Sequence, residues 1–333
     1  MKIVVAGAVV STRLTLEALI RHSANVANAE IVGVLQMSAE RAHTVTGFEP
    51  LDGIAEAAGI PCATFLNIND EVIVEQARQW QPDLMFVVGL SQLVRDELMS
   101  VPKMGCVGFH PTFLPAGRGR APLAWLTLDN GPGAASFFLI DEGMDSGPIF
   151  DQEPYEVTPS DYASDVSAKM ETAIVTALDR WLPRLLSGEW DPKPQDEFLA
   201  TYNCKRGPDD GLIDWQRPAT EIYALIRTAS EPHPGAYCWH KDRKLIVWRA
   251  ELEMRLPWRG IPGRVLQVDS ERGALVQTGD GLLWLTSLQF AEDNSPCLTE
   301  EAVQVGQKLC LTVQDELTAL RRRIAELESR LGK

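Results

Sequence analysis

Unbroken apolar runs alternate with amphipathic helical patterns over the first 150 residues, and this alternation restricts the fold more than any other feature. The clearest apolar runs are Lys2–Ala6, Ile31–Leu35 and Asp83–Val88, and between them Leu51–Ala58 and Glu71–Trp80 have helical periodicity. Strands with no polar face must be covered on both sides, which is typical of a parallel sheet between two layers of helices. We therefore predict an open α/β fold for this part of the chain.

The sequence pattern divides the chain into four regions. Residues 1–188 contain the α/β part, whose final helical pattern runs from about Ala163 to Leu186. Residues 189–206 are polar and contain prolines, which favours a linker. Short strand patterns separated by turns between residues 207 and 311 predict a smaller β-rich, OB-like domain. Residues 312–333 form a helical tail.

An apolar heptad stripe runs along this tail. Its members are spaced alternately four and three residues apart, and they are Val313, Leu317, Leu320, Ile324, Leu327 and Leu331. Two interpretations stay open, an amphipathic helix packed on its own domain and a short coiled coil between two subunits. So short a stripe is marginal by itself, so a coiled coil would assist an interface rather than create it. We expect a homodimer in which this helix takes part.

Charge and composition argue against several classes of protein. The chain has 31 Lys and Arg against 46 Asp and Glu, a formal net charge of −15, which disfavours a nucleic-acid partner because a phosphate backbone requires a basic face. No stretch approaches the roughly 20 apolar residues of a membrane-spanning helix. The six cysteines are too scattered for a metal knuckle or a redox dithiol. We expect a cytoplasmic protein with no membrane partner and no metal.

Candidate acid–base residues lie between Gly105 and Asp151, a stretch dense in glycine and proline. His110 follows an apolar strand directly and precedes a proline-rich loop, a position typical of functional histidines. Asp145 lies among glycines, where the backbone can turn tightly and approach a ligand. A carboxylate close to a histidine favours its charged form and is the usual partner in acid–base catalysis.

The same stretch resembles the N10-formyltetrahydrofolate-dependent formyltransferases, which include the glycinamide ribonucleotide, methionyl-tRNA and sugar N-formyltransferases. Their signature is Asn-x-His, a Leu-Leu-Pro loop, Arg-Gly and then Asp-x-Gly. The matching segments here are His110, Phe113–Pro115, Arg118–Gly119 and Asp145–Gly147. Gly207–Trp215 and Ile226–Ala236 are similar to the opening of the family's C-terminal domain. The resemblance covers roughly residues 1–311 and implies a Rossmann-like formyltransferase core followed by the β-rich domain.

The resemblance implies catalytic roles for His110 and Asp145 and reveals one departure. Gly108 occupies the position of the family's Asn, whose amide helps to hold the oxyanion, and loss of one such donor typically costs about 10²–10³ in rate. Three explanations stay open: a subgroup that manages with His110 alone, a changed or lost activity, or a replacement donor. The candidate replacements are a water, Ser91, Gln92 and Thr112. We favour an active enzyme because the rest of the signature is intact.

The co-substrate that the resemblance implies is N10-formyltetrahydrofolate. The segment Val87–Val94 is similar to the family's folate-binding loop, although its residues could also form an ordinary strand-to-helix turn. The residues expected to bind the folate come from this loop and from the one that precedes Asp145. They are Val88, Gly89, Leu90, Ser91, Gln92, Ile140, Asp141 and Gly143.

For the acceptor, Arg118–Trp125 is most similar to sugar N-formyltransferases, and His22–Glu30 lacks the basic tRNA-binding insertion of methionyl-tRNA formyltransferases. We therefore expect a nucleotide-linked amino sugar, whose diphosphate suits the guanidinium fork. The residues expected to bind it are Thr112, Pro115, Arg118, Arg120, Lys205 and Arg206. A structural role for the two arginines in the signature loop stays open. The alternative functions are methionyl-tRNA formyltransferase, formyltetrahydrofolate hydrolase and a catalytically impaired folate-binding relative.

Overall fold

The computed structural model describes residues 1–26, 28–241, 243–293, 297, 299–310 and 313–330. The chain divides into two compact units, Met1–Arg206 and Gly207–Lys333. Each unit is considered by itself below.

A seven-stranded sheet with strand order β3-β2-β1-β4-β5-β7-β8 organises the first unit. The first five of these strands are parallel, whereas β7 pairs antiparallel with both β5 and β8. Two further short strands, β6 and β9, form a separate parallel ribbon. The strands are β1 (Lys2–Gly7), β2 (Glu30–Met37), β3 (Cys62–Phe65), β4 (Leu84–Val87), β5 (Cys106–Thr112), β6 (Arg118–Gly119), β7 (Gly133–Leu139), β8 (Ile149–Tyr155) and β9 (Tyr202–Asn203). The predicted open, mostly parallel α/β sheet is confirmed.

Helices cover both faces of the sheet. They are α1 (Val10–Ser23), α2 (Asp52–Ala57), α3 (Glu71–Trp80), α4 (Asp96–Met99), α5 (Pro122–Asp129) and α6 (Ala163–Leu186), with 3-10 turns at Ala39–Thr44 and Glu197–Leu199. Strand β1 shows why the apolar runs are continuous. Ile3 and Val5 pack in the core that α1 and α6 complete, whereas Val4 and Ala6 pack in the core on the α3 side. Successive residues of one strand are thus buried on opposite faces.

The strand order places a topological switch point between β1 and β4, since the chain runs outward from them in opposite directions. Ligands of open α/β sheets bind outside the carboxyl ends of the strands near such a point. A buried hydrogen bond from the Thr12 hydroxyl to the Val88 carbonyl, 2.6 Å long, joins the ends of β1 and β4 there. His110 lies near the carboxyl end of the neighbouring strand β5.

Residues 189–206, which composition predicts to be a linker, belong to the first unit. Strand β9 pairs with β6 there, and Lys193 exchanges backbone hydrogen bonds with Ile149 at 2.7 Å. The prolines and polar residues of this segment therefore form a surface-bound arm rather than a free connection.

An antiparallel sheet of five strands, with order β10-β11-β14-β13-β12, forms the second unit and confirms a β-rich domain. The strands are β10 (Ala236–His240), β11 (Arg243–Glu253), β12 (Val265–Asp269), β13 (Gly273–Gln277) and β14 (Leu282–Phe290). The helices are α7 (Ala219–Ala229), α8 (Thr299–Ala302) and α9 (Val313–Arg330), with a 3-10 turn at Pro208–Gly211. In the part of the chain that the structure describes, no helix is both long and apolar enough to cross a membrane.

Helix α9 carries the heptad stripe of the tail. Leu317, Leu320, Ile324 and Leu327 are 43%, 55%, 54% and 44% exposed, so this apolar face is not packed against the rest of the chain. The side chain of Val313 and the whole of Leu331 lie outside the described residues. The interpretation of an amphipathic helix packed on its own domain does not agree with these exposures.

Candidate active site

His110 and Asp145 are brought together at the carboxyl edge of the sheet. His110 is 5% exposed and lies within β5 rather than in the loop after it. Its Nε2 atom is 2.9 Å from the carbonyl oxygen of Gly117, and its Nδ1 atom is 3.6 Å from Oδ2 of Asp145. The loop that carries the carboxylate thus faces one nitrogen of the ring, and the loop after β5 binds the other.

Burial determines the protonation state of this histidine. Desolvation lowers the pKa of His110 below its ordinary value, although the charge of Asp145 and the hydrogen bond to Gly117 act in the opposite direction. The imidazole is therefore neutral at pH 7. Because a carbonyl oxygen only accepts, Nε2 carries the proton, and Nδ1, which faces Asp145, is the basic nitrogen.

The conformation of Asp145 aims its carboxylate at the histidine. Its backbone has a φ of +52°, a left-handed value that is uncommon for a residue other than glycine. Oδ2 accepts a hydrogen bond of 2.8 Å from the Gly119 amide, which fixes the carboxylate between β6 and His110. The side chain keeps 22% of its surface exposed, so the pair is open to solvent on the Asp145 side.

This geometry is suited to moving a proton. A proton that arrives at Nδ1 of His110 creates an imidazolium ion opposite the Asp145 carboxylate, and the opposite charge stabilises it. The proton can then leave through the exposed carboxylate or a water beside it. A neutral, buried histidine backed by a fixed carboxylate is the arrangement of a general base that becomes a general acid in the next step.

Gly108 has no space for the side chain of the family's Asn. A Cβ atom there would lie 2.9 Å from the Phe138 ring and 3.0 Å from the Ile140 side chain, so both would have to move. Two of the replacement donors considered from the sequence are used elsewhere. The Gln92 amide donates to the Leu66 carbonyl and accepts from the Ile68 amide, and the Thr112 hydroxyl donates to the Ala116 carbonyl.

The loop expected to bind folate follows β4. Val88 is completely buried, and its N–H and carbonyl are bound to Ala6 and Thr12, so its expected role in folate binding does not fit the structure. Gly89 has a φ of +65°, and a Cβ there would lie 2.1 Å from the Val9 side chain, so only glycine fits this turn. Leu90 and Ser91 come next and are at least partly exposed. They follow the switch point directly.

The second loop expected to bind folate follows β7. Ile140 is half-buried and donates its N–H to the Cys106 carbonyl at 2.7 Å. Asp141 accepts hydrogen bonds from the Gly143 amide and the Ser146 hydroxyl, which close the turn that leads to Asp145. A surface depression of about 600 Å³ lies beside this loop. It is lined by Asp96, Met99, Ser100, Asp141, Glu142 and Gly143.

Two of the residues expected to bind the acceptor are structural instead. Thr112 is 2% exposed and uses its hydroxyl to hold its own loop, as described above. Arg118 has no exposed surface, and its guanidinium group donates to Glu197, Gln195 and Tyr202 at 2.7–3.2 Å. A diphosphate cannot reach a side chain in this position, so the expectation for Arg118 was wrong.

The other four expected acceptor residues lie at or near the surface. Pro115 is half-buried in the loop after β5, and Arg120 and Lys205 are exposed. The guanidinium group of Arg206 lies 5.1 Å from the centre of the Trp125 ring. The backbone of Arg120 is bound to that of Asn203 at 3.0 Å, which brings the ends of the β6–β9 ribbon together.

Sequence reasoning missed the polar residues of the arm that hold these loops, namely Gln195, Glu197, Thr201 and Tyr202. They lie 48–84 positions from the residues that they contact in the loops after β5 and β7. No local pattern in the sequence predicts these contacts. The one signal available was Arg118 itself, because an arginine in a largely apolar stretch requires a partner for its charge.

A Rossmann-like sheet with a histidine–carboxylate pair at its carboxyl edge defines an α/β protein with an acid–base site. Residues 1–182 match the family model described as "Formyl transferase", and residues 206–298 match "Formyl transferase, C-terminal domain". The chain therefore belongs to the formyl transferase family.

Solved structures of three kinds share its fold. HypX from Aquifex aeolicus, in complex with tetrahydrofolic acid, is 18% identical with a TM-score of 0.61, over 91% of this chain and 46% of HypX. This chain thus spans about half the length of HypX. The N-formyltransferase from Helicobacter canadensis, in complex with folinic acid and dTDP-3-aminofucose, is 16% identical with a TM-score of 0.64, over 86% and 99% of the two chains. Methionyl-tRNA formyltransferase from Clostridium thermocellum is 20% identical with a TM-score of 0.53, over 76% and 94%.

Proposed function

We propose that this chain transfers a formyl group from N10-formyltetrahydrofolate to the amine of a nucleotide-linked amino sugar. Membership of the formyl transferase family and the buried His110–Asp145 pair support the transfer chemistry. The observation that carries the choice of acceptor is a cationic strip beside Asp145. We define it as Arg120, Lys205 and Arg206.

In the proposed reaction the acceptor amine attacks the formyl carbon and forms a new C–N bond, and the bond from that carbon to N10 breaks. The amine loses one proton and N10 gains one, so a relay beside the reacting atoms balances the step. Nδ1 of neutral His110 takes the proton, Asp145 stabilises the imidazolium ion, and the proton is returned to the leaving nitrogen. Donors that hold the oxyanion would then come from Ser91, from the backbone or from water, because position 108 has no side chain.

Backbone hydrogen bonds connect the cationic strip to the segment that holds Asp145. The Arg120 amide donates to the carbonyl of Asn203, which lies two residues before Lys205. Gly119, whose amide binds the Asp145 carboxylate, immediately precedes Arg120 in the chain. Among the described residues the side chains of Arg120 and Lys205 make no ion pair, which is unusual in a chain with a net charge of −15. Local positive charge of this kind is what a diphosphate requires, and the planar guanidinium group suits its oxygens.

Two structural relatives support an acceptor of this class. The Helicobacter canadensis enzyme was solved with dTDP-3-aminofucose, and WlaRD, a sugar 3N-formyl transferase with a TM-score of 0.60, was solved with dTDP and 5-N-formyl-tetrahydrofolate. Folate compounds are bound in both structures and in HypX. The same co-substrate class is proposed for this chain.

The test is a formyl-transfer assay with N10-formyltetrahydrofolate and a panel of nucleotide-linked amino sugars. We expect Arg120→Ala to raise KM for the sugar nucleotide about 10–100-fold, because a charge-assisted hydrogen bond contributes about 1.5–3 kcal/mol. The KM for the folate should not change. Arg78→Ala is the control, since this arginine lies on α3 and is 53% exposed.

Other outcomes of the same assay contradict the proposal in different ways. Formate release without an acceptor, at the rate of transfer, indicates a hydrolase. Formylation of methionyl-tRNA but of no amino sugar indicates the other main acceptor class. Folate binding without any turnover indicates an inactive relative.

We also infer that helix α9 pairs in parallel with α9 of a second copy. In the heptad notation abcdefg, Leu317 and Ile324 stand at position a, and Leu320 and Leu327 stand at position d. This pattern favours a coiled coil of two helices. In a parallel, in-register pair Arg323 at g lies opposite Glu328 at e of the partner helix, so both of these flanking contacts are attractive.

Sedimentation equilibrium at micromolar concentration tests this pairing. We expect a concentration-dependent dimer whose dissociation constant rises about tenfold or more with the double change Leu320→Glu and Ile324→Glu, because the paired helices assist the interface. Arg322→Glu, at an outward f position of the same helix, should leave the dimer intact. A wild-type monomer at all concentrations, or an unchanged dissociation constant in the double glutamate variant, would exclude the pairing.

A further inference from the structure

Four polar residues of the arm hold the two loops that position the acid–base pair. We call Gln195, Glu197, Thr201 and Tyr202 the clasp. They bind the loop after β5, which contains Gly117, the hydrogen-bond partner of His110. They also bind the loop after β7, which contains Asp145. The hydrogen bonds described below join residues of the first unit.

Gln195 is bound directly to the backbone of Asp145 and of the turn that follows it. Its Nε2 atom donates to the carbonyl oxygens of Asp145 and Gly147, each at 2.8 Å. These bonds hold the Asp145–Ser146 and Gly147–Pro148 peptide groups, which come directly after Asp145 in the chain. They therefore support the left-handed conformation of Asp145, which has a φ of +52° and is costly for a side-chain-bearing residue.

The orientation of the Gln195 amide is determined by its partners. Its Oε1 atom accepts from the guanidinium group of Arg118 at 2.8 and 3.2 Å, and a guanidinium group can only donate. The two carbonyls on the other side can only accept, so a flipped amide would face acceptors with its oxygen and donors with its nitrogen. Arg118 in turn is held by both oxygens of Glu197 and by the Tyr202 hydroxyl.

The opposite end of the clasp holds the partner of His110. The Gly117 amide donates to the Thr201 hydroxyl at 2.8 Å, and the Arg118 amide donates to the Thr201 carbonyl at 2.9 Å. The Gly117 carbonyl is the acceptor for Nε2 of His110. The clasp thus holds both the Gly117 carbonyl, which orients His110, and the backbone of Asp145, which carries the carboxylate.

We propose that Gln195 is a positioning residue for the reaction: through its two hydrogen bonds to the Asp145 turn it sets the separation of the Asp145 carboxylate from His110. This inference rests on the proposed function for its kinetic consequences. The geometry itself does not depend on the identity of the acceptor. A displacement of about 1 Å between catalytic groups can reduce a rate by about 10²-fold.

Gln195→Glu separates this role from a general structural one. A glutamate keeps the size and the acceptor towards Arg118, where it adds an ion pair, but it loses both donors and turns a negative charge towards two carbonyl oxygens. We expect kcat to fall about 10–100-fold, with both KM values within about threefold of the wild type and the melting temperature retained. Asp196→Asn is the control that should keep full activity, since Asp196 is next in the chain and its side chain accepts from the Phe198 amide within the arm itself.

A second readout needs no turnover. NMR titration of histidine-labelled protein follows the pKa of His110, with the assignment made by comparison with a His110 variant. If Gln195→Glu moves the carboxylate away, the pKa of His110 falls further, because the attraction of Asp145 weakens while burial remains. A wild-type kcat together with an unchanged titration would overturn the proposal, and so would a loss of kcat that merely follows the fraction unfolded. If the wild type transfers no formyl group at all, the proposed function fails, and the titration alone decides the role of Gln195.

Discussion

His110→Ala is expected to reduce formyl transfer by a factor of about 10²–10⁴, the usual contribution of a general acid–base residue. Nδ1 of His110 is the basic nitrogen of the site, and it lies 3.6 Å from Oδ2 of Asp145. With the ring removed, Asp145 can still take a proton, but only at a greater distance from the reacting atoms. The measurement is single-turnover formyl transfer with saturating donor and acceptor.

The controls for this variant separate chemistry from folding. His43→Ala removes an exposed histidine of the same unit and should leave the rate unchanged. Folate binding by the His110→Ala protein, measured by calorimetry, should stay within a few-fold of the wild type, because the proposed folate loops do not depend on the ring. A His110→Ala enzyme with more than a tenth of the wild-type rate would remove this residue from the mechanism.

The parallel part of the sheet could be predicted from the sequence because its strands are apolar on both faces. All four residues of the first run, Ile3, Val4, Val5 and Ala6, are completely buried. The continuous apolar sequence therefore indicates burial on both faces of the strand. The antiparallel direction of β7 and β8 could not be predicted, since periodicity carries no information about strand direction. Helix α9 shows a related limit. Its stripe predicts an apolar face but not what covers it.

The candidate site was predictable where chemistry is local and not where it depends on distant partners. His110 and Asp145 stand in short motifs with punctuating glycines and prolines, and the structure brings them together. Arg118 and Arg120 are two residues apart in one motif and look alike in the sequence. What distinguishes them is Glu197, which lies 79 positions after Arg118 in the chain and binds Arg118 but not Arg120. The composition of the arm predicted a linker because a polar residue that binds a partner far along the chain, such as Gln195, cannot be distinguished in the sequence from one that faces only water.

Arg118→Ala is expected to destabilise the first unit by about 3–4 kcal/mol, through a cavity left by a large buried side chain and a Gln195 carbonyl left without its donor. For a unit of this size the melting temperature should fall by about 6–16 °C. Differential scanning calorimetry of the variant and the wild type measures it. The loss arises mainly from packing and hydrogen bonds, since Glu197 is 63% exposed and is solvated by water once its partner is gone.

Arg120→Ala is the matched control, because it removes the same side chain two positions later at an exposed site. The two variants should have opposite effects. Arg118→Ala should lower the melting temperature, and it should also lower kcat because Gln195 loses the donor that orients it. Arg120→Ala should leave stability unchanged and raise the KM for the acceptor. Equal stability of the two proteins would show that Arg118 is not held as the structure places it. A raised acceptor KM in Arg118→Ala at temperatures where it is fully folded, with kcat retained, would restore this arginine to substrate binding and remove it from the clasp network.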